Sequence, residues 1–198
     1  DELAEQIVGR RVLLGAVPSA FDSYLALRGI RTLAIRVDRA ESNAQFIAEK
    51  LATHAKVRAV HYPGLGGHKN ADIAKRQTDG PGFMLSFEVD GDAEDAERIC
   101  QHVELITHAT SLGGVETLME RRRRWPKENS AVPENLIRVS VGIENANDIW
   151  ADLEQALNAT RNGGAINETE NRAVLHTVLR DPGHPLRLSD GSQPGILV

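Results

Sequence analysis

The chain has 198 residues, 41% of them hydrophobic, which is enough for one domain with a sizeable buried core, with or without an appendage, and argues against a disordered chain. A net charge of −5 gives no reason to expect a nucleic-acid partner, since phosphate binding needs clustered basic residues. Its single cysteine cannot form an internal disulfide, and we find no signal peptide and no apolar run that could cross a bilayer, so we expect a cytoplasmic protein without a membrane partner.

Residues 1–56 predict an N-terminal segment that ends in a long helix. Apolar residues recur at roughly helical spacing between Tyr24 and Leu51, and Asp22 is a plausible helix cap after Pro18. We expect this helix to be bent near Gly29. A helix of this length usually has its apolar side covered by another part of a protein.

Residues 57–161 alternate predicted strands with predicted helices, a pattern that indicates an α/β layer. The predicted strands are VRAVHYP, GFMLSFEV, LITHATS and LIRVSVG. The predicted helices are ADIAKRQ, the stretch from Asp92 to Val103, and a helix capped by Asn145 with Ile149, Leu153 and Leu157 on one face.

Two motifs in the stretch from Thr107 to Leu157 carry a family resemblance: the turn SLGG at 111–114 and the strand LIRVSVG at 136–142. The stretch resembles the C-terminal part of the Cys/Met-metabolism (transsulfuration) family of pyridoxal-phosphate (PLP) enzymes, the cystathionine synthases and lyases. The resemblance implies the small C-terminal domain of the aminotransferase-like (fold type I) class. Such a domain has a short, mainly antiparallel sheet with helices on one face, preceded by a long helix.

In that family the Ser-Leu-Gly-Gly turn and the strand arginine together bind the α-carboxylate of the amino-acid substrate. The matching residues here are Ser111, Leu112, Gly113 and Arg138. The physical logic is independent of the resemblance, because a guanidinium offers a planar fork of donors to a carboxylate and a glycine turn lets backbone N–H groups approach closely.

Two observations leave alternatives open at this site. Cystathionine enzymes often have glutamate just before the serine, facing the distal end of the substrate, and this chain has Thr110 instead. That difference weakens the prediction that cystathionine itself is bound. Arg138 is also a strand arginine flanked by apolar residues, and its partner could instead be a structural carboxylate such as Glu116 or Glu144.

The resemblance implies PLP as the cofactor, held through a lysine Schiff base. The chain contains five lysines, and none lies in a motif that resembles the cofactor lysine of the family. They are Lys50, Lys56, Lys69, Lys75 and Lys127. We therefore assign no catalytic or cofactor-binding residue, and we expect the polypeptide alone to be inactive because it lacks the segment with the Schiff-base lysine.

Other candidate sites favour structural roles. GLGGHK lacks the spacing of a phosphate-binding loop, the histidines form no metal-binding motif, and Cys100 lies on an apolar helix face. The run from Arg121 to Arg124 could bind an anion or a partner, but a charged run at a helix end is more often a solvated face.

Residues 162–198 no longer resemble the transsulfuration family. Their run INETENRAVLHTVLR resembles a short segment of glucose-6-phosphate isomerase, and no functional residue is transferred from it. We expect one amphipathic helix from Asn171 to Arg180 and little order after Asp181. The change near residue 162 from one family resemblance to another suggests that the chain could come from an artificial fusion or a misassembled gene.

Three interpretations remain. The first is the substrate-carboxylate-binding part of a PLP-dependent lyase or transferase acting at C–S or C–O bonds of amino acids such as cystathionine or O-acylhomoserine. The second is a non-enzymatic interaction module that pairs through the uncovered face of its long helix. The third is a truncated or chimeric product without a function of its own. The partner expected for the first is an amino-acid substrate, and a homo-oligomer is an open expectation.

Overall fold

The computed structural model of the protein describes residues 2–125 and 127–159. The predicted helix 171–180, the isomerase-like run and the tail lie outside these residues. Within the described part, the chain forms six helices and five strands. None of these helices combines the length and apolar character needed to cross a membrane.

The chain begins with two helices, α1 (Glu2–Leu14) and α2 (Ala20–Ile30), and neither has a buried residue. The first was not predicted. Helix α2 begins with a capping box in which the Ser19 hydroxyl accepts from the backbone N–H of Asp22 and the Asp22 carboxylate accepts from the backbone N–H of Ser19. Ser19 is therefore the cap, and the cap predicted at Asp22 is its reciprocal partner.

The predicted long helix is interrupted, because α3 (Leu33–Ala52) begins after a turn that follows α2. At this turn the carbonyl oxygen of Gly29 accepts from the backbone N–H of Thr32 at 3.3 Å and from Nη1 of Arg36 at 3.0 Å. Glycine costs helix stability, and these bonds satisfy a carbonyl at a helix end. The outcome is two helices where one bent helix was predicted.

A five-stranded sheet forms the centre of the described chain. In sequence order its strands are β1 (Val57–His61), β2 (Met84–Val89), β3 (Thr107–His108), β4 (Leu118–Arg121) and β5 (Leu136–Ser140). Across the sheet the order is β1-β2-β5-β4-β3, with β3 and β4 parallel and every other pair antiparallel. A mainly antiparallel sheet in an α/β fold was predicted and is confirmed, whereas β4 was not predicted as a strand.

Helices cover one face of the sheet. The connection between β1 and β2 contains α4 (Ala71–Gln77), while α5 (Ala93–His102), α6 (Ala146–Ala159) and the C-terminal half of α3 contribute to the core. Ile47, Phe87, Ile137 and Leu153 are fully buried there, and each such side chain stabilises the fold by about 1.5–3 kcal/mol relative to exposure.

Polar contacts fix the helices to the strand connections. Asp152 of α6 accepts hydrogen bonds from three successive backbone N–H groups, those of residues 104–106, at 2.8 to 3.0 Å. Asn43 of α3 donates through Nδ2 to the carbonyl oxygens of Gly142 and Glu144, just after β5. The central strand β5 is thereby held in place at the end that lies near the predicted site.

Candidate functional site

Arg138 lies in the central strand β5, on the face of the sheet opposite the helices. Its neighbours Ile137 and Val139 are buried in the core, and because side chains alternate along a strand, Arg138 projects to the other face. Its side chain is 23% exposed, so its guanidinium is accessible from the open face.

The turn predicted to act with Arg138 lies against it. Nη2 of Arg138 donates to the carbonyl oxygens of Thr110 and, at 3.4 Å, Ser111. The backbone N–H of Gly113 donates to Oγ of the buried Ser140 at 3.0 Å, and Gly113 has a φ of +79° that favours glycine. The structure thus brings together Arg138, Thr110, Ser111 and Gly113.

The side chains of the turn face solvent. Residues 110–116 are exposed, and Leu112 is 56% exposed. Among the described residues, the hydroxyls of Thr110 and Ser111 have no hydrogen-bond partner. The turn contacts Arg138 through its backbone carbonyls, and the Ser111 hydroxyl stays available to a ligand.

The structural carboxylate beside Arg138 is Glu120, whose side chain is only 1% exposed. Glu120 and Arg138 are directly opposite each other on β4 and β5, with Nη2 of Arg138 2.6 Å from Oε1 of Glu120. The sequence analysis left open a structural carboxylate as the partner of Arg138; the structure shows such a carboxylate, but it is Glu120 and not Glu116 or Glu144. Glu144 instead accepts from the backbone N–H and the hydroxyl of Thr117.

Two more arginines contact the same buried carboxylate. Nη1 of Arg122 lies 2.6 Å from Oε1 of Glu120, and Nη2 of Arg124 lies 2.6 Å from Oε2. Arg122 also donates to Glu128 at 3.2 Å. We call Glu120, Arg122, Arg124, Glu128 and Arg138 the Glu120 cluster. Its three guanidiniums and two carboxylates leave one positive charge.

Glu128 is held in its charged form. The backbone N–H of Trp125 donates to its carboxylate at 3.0 Å. This hydrogen bond is the main reason that the pKa of Glu128 lies below its usual value, and the backbone of Arg124 and the nearby guanidiniums act in the same direction.

The arginine run is not a solvated face at a helix end, which corrects the prediction. Arg121 is the last residue of β4 and donates from Nε to Glu97 at 2.9 Å, while Arg123 pairs with Glu134 at 3.2 Å. Arg123 has a φ of +56°, which is rare for a residue with a side chain. The bend at Arg123 allows Arg122 and Arg124 to reach one carboxylate.

The other candidate residues have structural surroundings. GLGGHK forms a turn in a surface groove of about 620 Å³ that α4 also lines. Burial raises the pKa of the Cys100 thiol to about 12, so it is protonated and unreactive at neutral pH. In the described residues no three His, Cys, Asp or Glu side chains are grouped to hold a metal ion.

The five lysines of the chain lie in different surroundings. Nζ of Lys56 donates to the carbonyls of Leu157 and Asn158, and Nζ of Lys50 lies 5.6 Å from the centre of the Phe46 ring. Lys69 and Lys75 line the surface groove, together with His68, Asp72 and Asp79, and Lys127 is exposed.

Reasoning from the sequence missed Glu120, and it considered Arg122 and Arg124 only as part of a charged run. β4 ends at Arg121 and Arg123 has a left-handed backbone, so strand alternation does not place Arg122 and Arg124 beside Glu120. Recognising LMER as a strand would therefore not have been enough to find these contacts.

Comparisons with known proteins identify the family of the chain. The profile of the Cys/Met metabolism PLP-dependent enzymes matches residues 1–158. Cystathionine gamma-synthase from Mycobacterium leprae is 44% identical over 149 residues, 73% of this chain and 38% of that protein. Cystathionine gamma-lyase from Dictyostelium discoideum is 42% identical over 165 residues, 79% of this chain and 43% of that protein.

The fold has solved counterparts. The crystal structure of metB from Corynebacterium glutamicum superposes with a TM-score of 0.74 at 41% identity, covering 81% of this chain and 43% of that one. The chain therefore spans about two fifths of the length of the relatives that it matches. By the extent of the profile match and by its fold, the chain belongs to the Cys/Met metabolism PLP-dependent enzyme family.

Proposed function

We propose that this chain supplies the substrate-carboxylate-binding part of a PLP-dependent transsulfuration enzyme that acts at C–S or C–O bonds of amino acids. The observation that carries the proposal is the state of the Arg138 guanidinium. Within the described residues, the Arg138 side chain donates only through Nη2, to the carbonyl oxygens of Thr110 and Ser111 and to the carboxylate of Glu120. The donors on Nε and Nη1 have no such partner, and each of them can donate one hydrogen bond to a ligand carboxylate.

The neighbouring turn adds a further donor beside the Arg138 guanidinium. The Ser111 hydroxyl is exposed beside Arg138 and can donate to the same carboxylate, and the single positive charge left on the Glu120 cluster matches one monoanionic group. The residues of this chain would bind and orient the substrate. They would not carry out its bond cleavage.

Thr110 is neutral where cystathionine enzymes often have a glutamate. We therefore favour a substrate whose distal end does not need to contact a protein carboxylate at this position. Its side chain is exposed, and only its backbone carbonyl contacts Arg138. Cystathionine and O-acylhomoserine are both candidate substrates, and the relatives include proteins named as a synthase and as lyases.

The first experiment measures the contribution of Arg138. The matching segment of the Mycobacterium leprae cystathionine gamma-synthase is replaced by residues 1–158 of this chain, and cystathionine formation is followed. We expect an active chimera in which Arg138→Ala costs about 2–5 kcal/mol in kcat/KM, mostly through KM, because a charge-assisted contact to the substrate carboxylate is lost. Arg58→Ala is the matched control, since the pair of Arg58 with Asp90 is exposed on β1. Equal kinetics in the two variants would remove the proposed role of Arg138.

A second experiment tests the proposal that the 198-residue polypeptide is inactive by itself. The chain is titrated with PLP, reduced with borohydride and mapped by peptide mass spectrometry. We expect no lysine to be labelled stoichiometrically, because none of the five lysines lies in a motif that resembles the cofactor lysine of the family. Stoichiometric labelling of one lysine that depends on the folded state would refute this part of the proposal.

A non-enzymatic interaction module is the second candidate function, and the exposed helices α1 and α2 favour it. Together they expose Leu13, Leu14 and Phe21, each at least 67% accessible. Apolar surface of this kind marks interaction sites. Light scattering tests whether these exposed helices bind a second copy of the chain. A monodisperse monomer would leave the interaction module without support.

A further inference from the structure

The surroundings of Glu120 go beyond what a structural salt bridge requires. The residue faces Arg138 across the strands, and its carboxylate is almost completely buried. We propose that Glu120, fixed by Arg122 and Arg124, is a positioning residue that orients the Arg138 guanidinium toward a substrate carboxylate. This inference rests on the proposed function, in which Arg138 binds the substrate carboxylate.

The hydrogen bonds specify an orientation and not only a contact. Oε1 of Glu120 accepts from Nη2 of Arg138 and from Nη1 of Arg122, both at 2.6 Å. Glu120 therefore holds Arg138 by one end of its guanidinium, where the carbonyls of residues 110 and 111 also accept. Because the guanidinium is planar, fixing Nη2 at three acceptors also fixes the direction of the Nε and Nη1 donors.

Arg122 and Arg124 hold the carboxylate itself. Nη2 of Arg124 occupies Oε2, so both oxygens of Glu120 are engaged and the carboxylate cannot turn away from Arg138. The left-handed backbone at Arg123 brings the two arginines to the same acid. Strain at a residue of this kind persists only where the surrounding contacts hold it, and it often accompanies a functional site.

Charge explains why the acid is needed. Without Glu120, the three guanidiniums of Arg122, Arg124 and Arg138 would face one another with only Glu128 to compensate them, and like charges in a partly buried site repel. Arg138 would then turn toward solvent. The substitution Glu120→Gln keeps the shape and removes the charge, so it isolates this effect.

The test uses arginine side-chain NMR on the full 198-residue chain, with the Arg138 signal assigned by its loss in Arg138→Lys. The rate of rotation about the Nε–Cζ bond of Arg138 is compared in the wild type, in Glu120→Gln and in the control Glu134→Gln. Glu134 pairs with Arg123 and is exposed. We expect rotation to be about tenfold faster in Glu120→Gln, since charge-assisted hydrogen bonds restrain it, and unchanged in Glu134→Gln.

The Arg121 guanidinium is the internal reference, because its partner is Glu97 and not Glu120. A purely structural role for Glu120 would loosen Arg121 and Arg138 together. A wild-type rotation rate of Arg138 in Glu120→Gln would overturn the inference. If circular dichroism shows that Glu120→Gln does not fold, Arg124→Gln frees one carboxylate oxygen and is expected to speed Arg138 rotation a few-fold, and no change there would overturn it equally.

A titration with L-norvaline separates this inference from the proposed function. We expect its carboxylate to shift the Arg138 Nε signal of the wild type, and the affinity to fall about tenfold in Glu120→Gln, as for a misaligned charge-assisted contact. A wild-type signal that does not respond counts against carboxylate binding by Arg138, whereas the rotation rates still decide the role of Glu120. Equal affinity in both proteins overturns the positioning role alone.

Discussion

The helical arm, formed by α1 and α2, and the α/β layer, formed by the sheet and helices α3 to α6, contain similar apolar side chains with opposite degrees of burial. In the arm, Leu13 is 87% exposed and Phe21 is 67% exposed, and neither helix has a buried residue. In the layer, Ile47, Phe87 and Leu153 are completely buried. Large apolar side chains are therefore part of the buried core in the layer and exposed to solvent in the arm.

This difference shows what holds each region together. Helices of 13 and 11 residues are marginal in isolation, so the arm relies on its cap and on local hydrogen bonds. The layer is stabilised by burial, which is the dominant favourable term in folding. We expect changes in the layer to act on global stability and equivalent changes in the arm to act locally.

The largest expected contrast is in thiol reactivity. The Cys100 thiol has a pKa raised to about 12 by burial. At pH 8 we expect iodoacetamide to label it at least about a thousandfold more slowly than a thiol introduced by Leu13→Cys in a Cys100→Ala background, because labelling requires opening of the core. Comparable rates, measured by mass spectrometry, would show that the core of the layer is not closed.

Truncating one isoleucine in each region gives the next largest effect. Ile47→Ala should lower the free energy of unfolding by about 2–5 kcal/mol, as for other buried large-to-small substitutions. Ile7→Ala, at a position 58% exposed on α1, should change it by less than about 0.5 kcal/mol. Urea unfolding is followed by the fluorescence of Trp150, which packs against the core. A large loss in Ile7→Ala would mean that the arm unfolds together with the layer.

Alkaline pH distinguishes the two regions through their tyrosines. Tyr62 is buried and donates to the carbonyl oxygen of Gly82 at 2.7 Å, and desolvation, with Glu41 nearby, raises its pKa to about 12. Between the unfolded and folded pKa values the unfolded chain binds fewer protons, so stability should fall as pH rises from about 10 to 12.

Thermal melts between pH 9 and 12 check this prediction. Tyr62→Phe should lose about 1 kcal/mol at neutral pH through its missing hydrogen bond and show a weaker decline at alkaline pH. Tyr24→Phe, on the exposed surface of α2, is the control and should follow the wild type. Parallel alkaline declines in all three proteins would exclude Tyr62 as the titrating group.

The smallest effect compares the same capping motif in both regions. Asp92→Ala removes the cap of α5, whose residues Ala96 and Ile99 are in the core, and should lower the free energy of unfolding by about 1 kcal/mol. Ser19→Ala removes the cap of α2 and should reduce the helical circular dichroism slightly while leaving the urea midpoint of the layer unchanged. Equal shifts of that midpoint would contradict the division into two regions.

The sequence pattern predicted most of the strands and helices that contribute to the core. β1, β2, β5, α5 and α6 lie where alternation or helical spacing placed them, and the helix ADIAKRQ matches α4, although α4 has no buried residue. Helix α1 was missed because its apolar residues do not gather on one face. Strand β4 was missed because it is four residues long and ends in charged residues that are buried through ion pairs.

The motif resemblance placed the turn and Arg138 together, but it could not identify the partner of Arg138. That partner depends on the register between β4 and β5, which pairs Glu120 with Arg138 across 18 positions of sequence. Local periodicity contains no information about such a pairing. The acids proposed from sequence proximity to the motifs, Glu116 and Glu144, were therefore wrong.

The late position of β5 in the chain has a consequence for synthesis. This strand is separated from β2 by more than forty residues of sequence, yet it lies between β2 and β4. Until residue 140 has left the ribosome, β2 and β4 each present an open edge that can pair with a neighbouring nascent chain. Translation that stops before β5 should therefore yield aggregating products, whereas a stop after α6 should not.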